Sequence, residues 1–270
     1  MRFLYATDLH GDIRKYDMIY SYAKENRINL IHLGADLLPK NSEILKIQKK
    51  FVKGFLKDYY ARAKEDGKIL LAFWGNDDIY SRKPYFRDYG QLLDETPYEK
   101  DGYTFTAYGY VPDFPFGLKT ACKLDYEGWV VNQPYLTNPV DINESGFCQI
   151  TDIHEYFLKK GTLETDLKSF PGGNNIIAAI HCPPDSSGLD VCRDNRRVGS
   201  RSITRWIHAK QPLLVLSGHI HESPAMSGIW KEKIGDTLVI QPGQELNSAV
   251  FVLIEINDNK ISVERLVKPM

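Results

Sequence analysis

Cysteine is scarce in this chain of 270 residues: Cys122, Cys148, Cys182 and Cys192 are all it has, they lie far apart, and no two form a CxxC pair. That excludes the disulfide framework of a small secreted domain and a cysteine zinc site, and it suits a reducing compartment. No stretch approaches the roughly 18 apolar residues of a membrane span. The opening MRFLYATDLHGD turns acidic too soon for a signal peptide. An excess of charge of one sign is missing as well, since 34 Lys and Arg face 35 Asp and Glu. So balanced a chain has no general electrostatic reason to seek nucleic acid or an anionic membrane. Internal repeats and low-complexity linkers are lacking too. One domain over residues 1–270, placed in the cytoplasm, is the expectation.

What is present is an alternation of short apolar runs with amphipathic stretches. RFLYATD reads as a strand, KYDMIYSYAKEN as a helix with Met18, Ile19, Tyr22 and Ala23 on one face, and INLIHLGAD as a strand again. NSEILKIQKKFVKGFLKDYYARAKEDG predicts one long helix, with Ile44, Ile47, Phe51, Phe55 and Tyr59 at helical spacing. Asn41 or Ser42 would cap it and Gly67 end it. KILLAFWGND is a third strand. This order predicts a parallel sheet built by right-handed crossovers. From about 101 to 171 the rhythm breaks, with many Tyr, Phe, Gly and Pro and one plain helical stretch, TDIHEYFLKKGTLETDLKSF. We expect an elaboration there. The core pattern resumes with NNIIAAIHCPP, a helix SRSITRWIHAKQ, and PLLVLSGHIH. The tail segments TLVIQPG, SAVFVLIEI and KISVERL, with a turn at Asn257-Asp258-Asn259, predict an antiparallel second sheet beside the first.

Five apolar strands end alike: FLYATDLH, LIHLGAD, LLAFWGND, IIAAIHCPP and LLVLSGHIH each close on Asp, His or Asn. Along the carboxyl edge of a parallel sheet, where ligands bind in such folds, they would gather Asp8, His10, Asp36, Asn76, His181, His219 and His221. These oxygen and imidazole donors, with no thiolate required, suit Mn, Fe, Zn or similar ions. Seven donors crowd one ion but serve two that share a carboxylate. In an extended segment residues i and i+2 share a face, so Asp8 with His10, and His219 with His221, would enter from single strand ends. A lone GAD or GND is an ordinary turn, His32 reads as a core residue or one behind a ligand, and His154 and His208 read as solvated. The weight lies in the conjunction, because four of the seven histidines fall at strand ends beside the other donor types.

In order, DLH, GAD, GND, AIHCPP and GHIH resemble the five blocks of the calcineurin-like metallophosphoesterases, from residue 8 to residue 221. GHIHES with IGDTLVIQPGQ resembles their bacterial and archaeal phosphoesterase branch. The resemblance implies an α/β fold, a four-layer α-β-β-α sandwich of two mixed sheets. It also implies two divalent ions per chain, manganese first among iron, zinc, nickel and cobalt. Asp8, His10 and His221 would hold one ion, Asn76, His181 and His219 the other, and Asp36 would bridge them. A hydroxide between the ions would attack phosphorus in line. The substrate implied is a small-molecule or nucleotide-type phosphoester, a diester or activated ester ahead of a simple alkyl monoester.

Two departures from the family pattern stand out: Gly34-Ala35-Asp36 replaces Gly-Asp, and GND replaces the frequent GNH, whose histidine helps the leaving group. Asp77, a catalytic candidate beside Asn76, would then be a protonated acid, a substrate contact or a turn residue. Arg193, Arg196, Arg197 and Arg201, near a helix start at Ser200, are candidates for holding the substrate phosphate, with a solvated basic loop as the alternative. Tyr103, Phe105, Tyr108, Phe114, Phe116, Tyr126 and Trp129 would either stack a nucleobase or form local core. Cys182 reads as a packing residue. The rival functions are a non-catalytic interaction module on the same fold, against which the complete donor set speaks, and a metal-dependent hydrolase of a non-phosphate bond.

Overall fold

The computed structural model describes residues 1–130, 135–143 and 146–270; the other six fall in the expected elaboration and lie outside the described residues. The first part of the chain runs β1 (Arg2–Ala6), α1 (Ile13–Glu25), β2 (Leu30–Leu33), α2 (Ile44–Phe51), a π-helical segment (Val52–Leu56), α3 (Lys57–Glu65), β3 (Ile69–Ala72), α4 (Lys83–Arg87), β4 (Gln91–Leu92), β5 (Tyr98–Lys100) and β6 (Tyr103–Tyr108). Small elements follow: β7 (Val111–Pro112), β8 (Cys122–Lys123), β9 (Val140–Asn143), β10 (Gly146–Gln149), α5 (Ile153–Lys160) and α6 (Leu163–Ser169). The chain ends with β11 (Ile176–Ile180), α7 (Arg201–Lys210), β12 (Leu214–Leu216), α8 (Ser223–Ser227), β13 (Lys231–Ile234), β14 (Thr237–Ile240), β15 (Ser248–Asn257) and β16 (Lys260–Pro269).

Two six-stranded mixed sheets face each other, ordered β16-β15-β1-β2-β3-β4 and β13-β14-β12-β11-β6-β5. Alternation along each strand decides which layer a side chain joins. Phe3 and Tyr5 of β1 meet Phe105, Ile177, Leu214 and Ile240 between the sheets. Leu4 and Ala6 turn outward to Tyr16, Ile19, Phe51 and Tyr59 of the helices on the first sheet. On the far side Ala178 and Val215 pack under Ile203, Trp206 and Ile207 of α7 and Leu163 and Leu167 of α6. The order is therefore helix, sheet, sheet, helix. Among the described residues no helix is long and apolar enough to cross a membrane.

Several expectations need correcting. The five donor-bearing strands do not share one sheet: β1, β2 and β3 lie in the first, β11 and β12 in the second. The tail divides in the same way. Strand β14 lies parallel to β12, whereas β15 returns antiparallel to β1 and hairpins into β16, so the apolar β15 closes the first sheet and makes no separate one. Tyr103–Tyr108, placed by composition in the elaboration, is a strand parallel to β11. The long helix starts at Ile44, because Asn41 Oδ1 accepts from the Glu43 N–H at 2.9 Å and forms a turn ahead of the helix. The π-helical segment interrupts it. The stretch 151–170 breaks at Gly161, whose φ of 71° ends α5 before Thr162 caps α6.

His32 sits fully buried between the sheets, edge-on to Tyr5, Phe73 and Phe105 at 5.4, 6.1 and 6.2 Å, and among the described residues neither ring nitrogen has a hydrogen-bond partner. Burial pushes it down to about 3, and of the three rings facing it only the Tyr5 phenol can titrate. An unfolded histidine binds its proton near pH 6.5, so the native state holds fewer protons below that point. Stability should therefore be unaffected by His32 above pH 6.5 and fall by up to about 1.4 kcal/mol per pH unit from there toward pH 3. Urea unfolding of His32→Leu between pH 5 and 7 should show that slope reduced; an unchanged slope would count against this account.

Candidate metal centre

The ends of β1, β2, β3, β11 and β12 converge where the sheets meet. The expected delivery of i and i+2 by strand pleat does not occur. Asp8, His10, Asp36 and His219 have φ of 57°, 45°, 53° and 69°, in the left-handed region that non-glycine residues seldom occupy. Such strain persists where the surroundings over-determine it. Here the backbone supplies the constraint: Asp8 N–H donates to Ala35 O at 2.9 Å, His10 to Asp36 O at 3.0 Å and Gly11 to Leu37 O at 2.8 Å. In the second sheet Gly218 N–H donates to His181 O at 2.9 Å. Between the sheets, His219 N–H donates to both Asp8 carboxylate oxygens, each at 3.1 Å. The glycines before Asn76 and His219 supply space: a Cβ on Gly75 would collide with Asp36 Oδ1, and one on Gly218 with Asp8 Oδ2.

All seven predicted donors meet here. His221 Nε2 lies 3.3 Å from Asp8 Oδ1 and 3.1 Å from His10 Nε2. His181 Nε2 lies 3.2 Å from Asp36 Oδ2 and 3.0 Å from Asn76 Oδ1. The His181 and His219 rings pack edge to face at 5.0 Å. Three groups, Asp8-His10-His221, Asp36-His181-His219 and His10-Asp36-Asp77, each offer ligand atoms within 4.8 Å of one another. Burial alone would raise Asp36, but the facing His181 overrides it and holds the carboxyl far below the usual range. Burial likewise opposes charge on His181, and Asp36 lifts it to about 9. His219 is pushed down to about 3 by burial and then by His181, which leaves a neutral imidazole. His10 Nδ1 and His181 Nδ1 are buried without partners among the described residues.

These residues fit divalent cations. Buried carboxylates need countercharge, and neutral imidazoles with free lone pairs beside them are the usual ligands of such ions. Asp36 and His10 each belong to two of the three groups, and of the two only the carboxylate has two oxygens to offer.

Sequence reasoning missed three residues around this cluster. Lys40 Nζ bonds Asp77 Oδ2 at 2.6 Å. Burial and then Asp36 raise the Asp77 carboxyl, while Lys40 opposes them. Asp78, fully buried, accepts from Leu37 N–H at 3.2 Å, Leu38 N–H at 2.8 Å and Gly75 N–H at 3.1 Å, and so ties the loop after Asp36 to the loop before Asn76. Gln48, on α2, adds a second tie, donating to Asp77 O at 2.7 Å and accepting from Ile79 N–H at 2.9 Å. Only the doubled Asp of GNDD could have signalled any of this.

The four arginines scatter. Arg197 pairs with the buried Asp190 at 3.2 Å, Arg201 lies 4.0 Å from Asp185 and over the Tyr126 ring, and Arg193 offers its backbone N–H to Glu222. Arg196, paired with Asp194 at 2.6 Å, alone of the four shares a cavity with His219. Nor is the helix start at Ser200 open to a phosphate, because Asp125 takes the Ser200 hydroxyl at 2.5 Å and the Arg201 N–H at 2.9 Å. Of the aromatics, Tyr103, Phe105 and Tyr108 belong to β6, and Trp129 lies edge-on to Phe114 at 6.4 Å. Phe114 stacks on His219 at 5.7 Å and Phe116 meets it edge-on at 6.4 Å. His154 and His208 are exposed, and Cys182 is buried among apolar side chains.

No family model and no curated protein matches the sequence. Among solved structures, a dimetal phosphatase from Danio rerio superposes with a TM-score of 0.56 at 11% identity, over 100% of this chain and 98% of that one. The protein TT1561 of Thermus thermophilus superposes with a TM-score of 0.55 at 17% identity, over 97% of each chain. Likeness at such identity shows the fold.

Truncating Asp78 would leave three buried N–H groups without their acceptor, at about 1–3 kcal/mol each if none finds another. Asp78→Ala should lower the unfolding free energy in urea by about 3 kcal/mol or more. A loss below about 0.5 kcal/mol would show that the carboxylate is not what holds the two loops together.

Proposed function

With the fold of the calcineurin-like metallophosphoesterases as its frame, the chain is, we propose, a metal-dependent phosphoric ester hydrolase that works with two divalent cations. One observation carries the reading: Asp8, His10, Asp36, Asn76, His181, His219 and His221 meet at the mouth of the two sheets, four of them on strained backbone that surrounding hydrogen bonds hold in place. In this reading Asp8, His10 and His221 hold one cation, Asn76, His181 and His219 the other, and Asp36 serves both. When bound, such a pair lowers the pKa of a water between them and neutralises charge on the phosphoryl oxygens. Manganese is the first candidate, with iron, zinc, nickel and cobalt behind it.

The protein's part is positional. The His219 N–H fixes the rotation of the Asp8 carboxylate about its own bond, and the Asp77 N–H, 2.8 Å from Asp36 Oδ1, does the same for Asp36. Phe114 stacks on one face of the His219 imidazole. No histidine occupies residue 77. Its carboxylate is bound by Lys40, so a proton for a departing alkoxide has no imidazole source there.

Three measurements test the reading. Hydrolysis of an aryl phosphodiester with added manganese, and none in chelator, is expected; its absence with every metal named would reject the function. Calorimetric titration should find about two manganese ions per chain, and Asp36→Asn should weaken both sites together. Saturation at one ion, or wild-type metal content in that variant, would reject the shared carboxylate.

Leaving-group dependence forms a separate prediction. General acid help is worth about 10²–10⁴-fold and matters most for poor leaving groups. Turnover should therefore fall steeply from nitrophenyl to alkyl esters, and Asp77→His should flatten the slope. A slope already flat in the wild type, turning steep in Asp77→Ala, would make Asp77 the acid.

A further inference from the structure

The centre opens into two cavities. The larger, about 480 Å³, runs from Asp77 and His221 to a wall of Ile44, Phe116, Leu118 and Phe147. The smaller, about 220 Å³, lies beyond Phe114 and Phe116, against Ile220, Arg196 and Glu222. Phe116 and His219 border both, so together they form the partition. The partition is firmly held. Lys119, fully buried, pairs with Asp113 at 2.7 Å and donates to the carbonyls of both Phe114 and Phe116.

A phosphorus held at the donor cluster thus has room for one organic arm on each side of Phe116. A monoester has one arm and would leave a cavity unused; a diester has two. The cavities differ in volume and in chemistry, so the arms should differ as well. Phe116 and Phe147 offer a flat aromatic group the ring contacts it prefers, and the larger volume is within the range of small-ligand sites. The smaller side, with Arg196 and Glu222, suits a compact polar arm.

We propose that the substrate is an unsymmetrical phosphodiester, its aromatic arm in the larger cavity and its compact arm in the smaller, an assignment that rests on the phosphoesterase reading above. The reaction balances as a hydrolysis: the oxygen of one water bonds to phosphorus, one P–O ester bond breaks, and one proton leaves with the alcohol while the other goes to the monoester product.

The test uses manganese-loaded full-length protein and three probes: 4-nitrophenyl phosphate, methyl 4-nitrophenyl phosphate and phenyl 4-nitrophenyl phosphate. We expect kcat/KM for the methyl diester, with one aromatic and one compact arm, to exceed about tenfold that for the phenyl diester, whose second ring has only the smaller cavity to enter, and that for the monoester, which has no second arm. Leu118→Trp, which narrows the larger cavity, should lower kcat/KM for the methyl diester about tenfold; Phe147→Ala, which removes a ring contact to the aromatic arm at a half-exposed position, should do the same with little risk to folding. Calorimetry with benzyl(methyl)phosphinate, whose two arms join phosphorus through carbon and so cannot be hydrolysed, should show affinity falling about tenfold in both variants. Equal rates on the three probes, or methyl-diester kcat/KM and phosphinate affinity unmoved in both variants, would overturn the two-arm assignment while leaving a phosphoesterase. Inactivity on all three would instead remove the reading beneath it.

Discussion

The N–H of His219 reaches across from the second sheet to both oxygens of the Asp8 carboxylate in the first, and the rest of the centre depends on that contact. It fixes how closely the two sheets approach at their open ends. It also orients a carboxylate that is buried. Beside it, the buried Asp36 faces His181 at 3.2 Å, and the mutual attraction holds the carboxyl low and the imidazole high. A layer of opposed charge at the seam of a sandwich would be a liability in an ordinary core, where apolar contacts would serve better. At a cation site it is the preorganised receptor.

Holding that receptor in place takes structure that touches none of the donors' ligating atoms. Four donors sit at positive φ, a conformation that destabilises by about 1–3 kcal/mol apiece. The loop-to-loop ladder from Asp8 to Gly11, the Asp78 carboxylate and the Gln48 amide offset it. Asp78 is itself pushed up to about 8 by burial and then by Asp36, against its three N–H partners, and so belongs to the same electrostatic system. The rigidity of the site and the strain in it have one source: strands whose ends are bonded to each other before any ligand arrives.

On the open side the aromatic loop plays a different part. Phe114 lies outside the core between the sheets and Phe116 packs at the border of the helical layer on the second sheet, and both rings meet His219 while a buried lysine holds their carbonyls. That lysine gives the loop a definite place, and with it the centre acquires two sides of unequal volume. Composition marked the stretch as aromatic without saying whether its rings faced a ligand or one another. Tyr103, Phe105 and Tyr108 proved to be strand residues, while Phe114 and Phe116 border the site.

The sequence by itself determined the candidate donors and the alternation of strands with helices, while the four layers came with the family resemblance. Apolar strands that stop on Asp, Asn or His, repeated in order, identify Asp8, His10, Asp36, Asn76, His181, His219 and His221, because a strand's period of two and a helix's of 3.6 are local properties of the chain. Only the tertiary structure decided how those ends meet. Three strands went to one sheet and two to the other, β15 crossed back to pair with β1, and four of the seven donors arrived on left-handed turns, not on the strand pleat. Pairing between sheets is set by contacts hundreds of residues apart, such as Asp8 with His219, and no local period encodes them. For the same reason Lys40, Asp78, Gln48 and Lys119 read as ordinary polar residues until folding placed each against the backbone or side chain it holds. The helix start at Ser200 was left open through the same gap, since Asp125, 75 residues before it, takes the Ser200 hydroxyl.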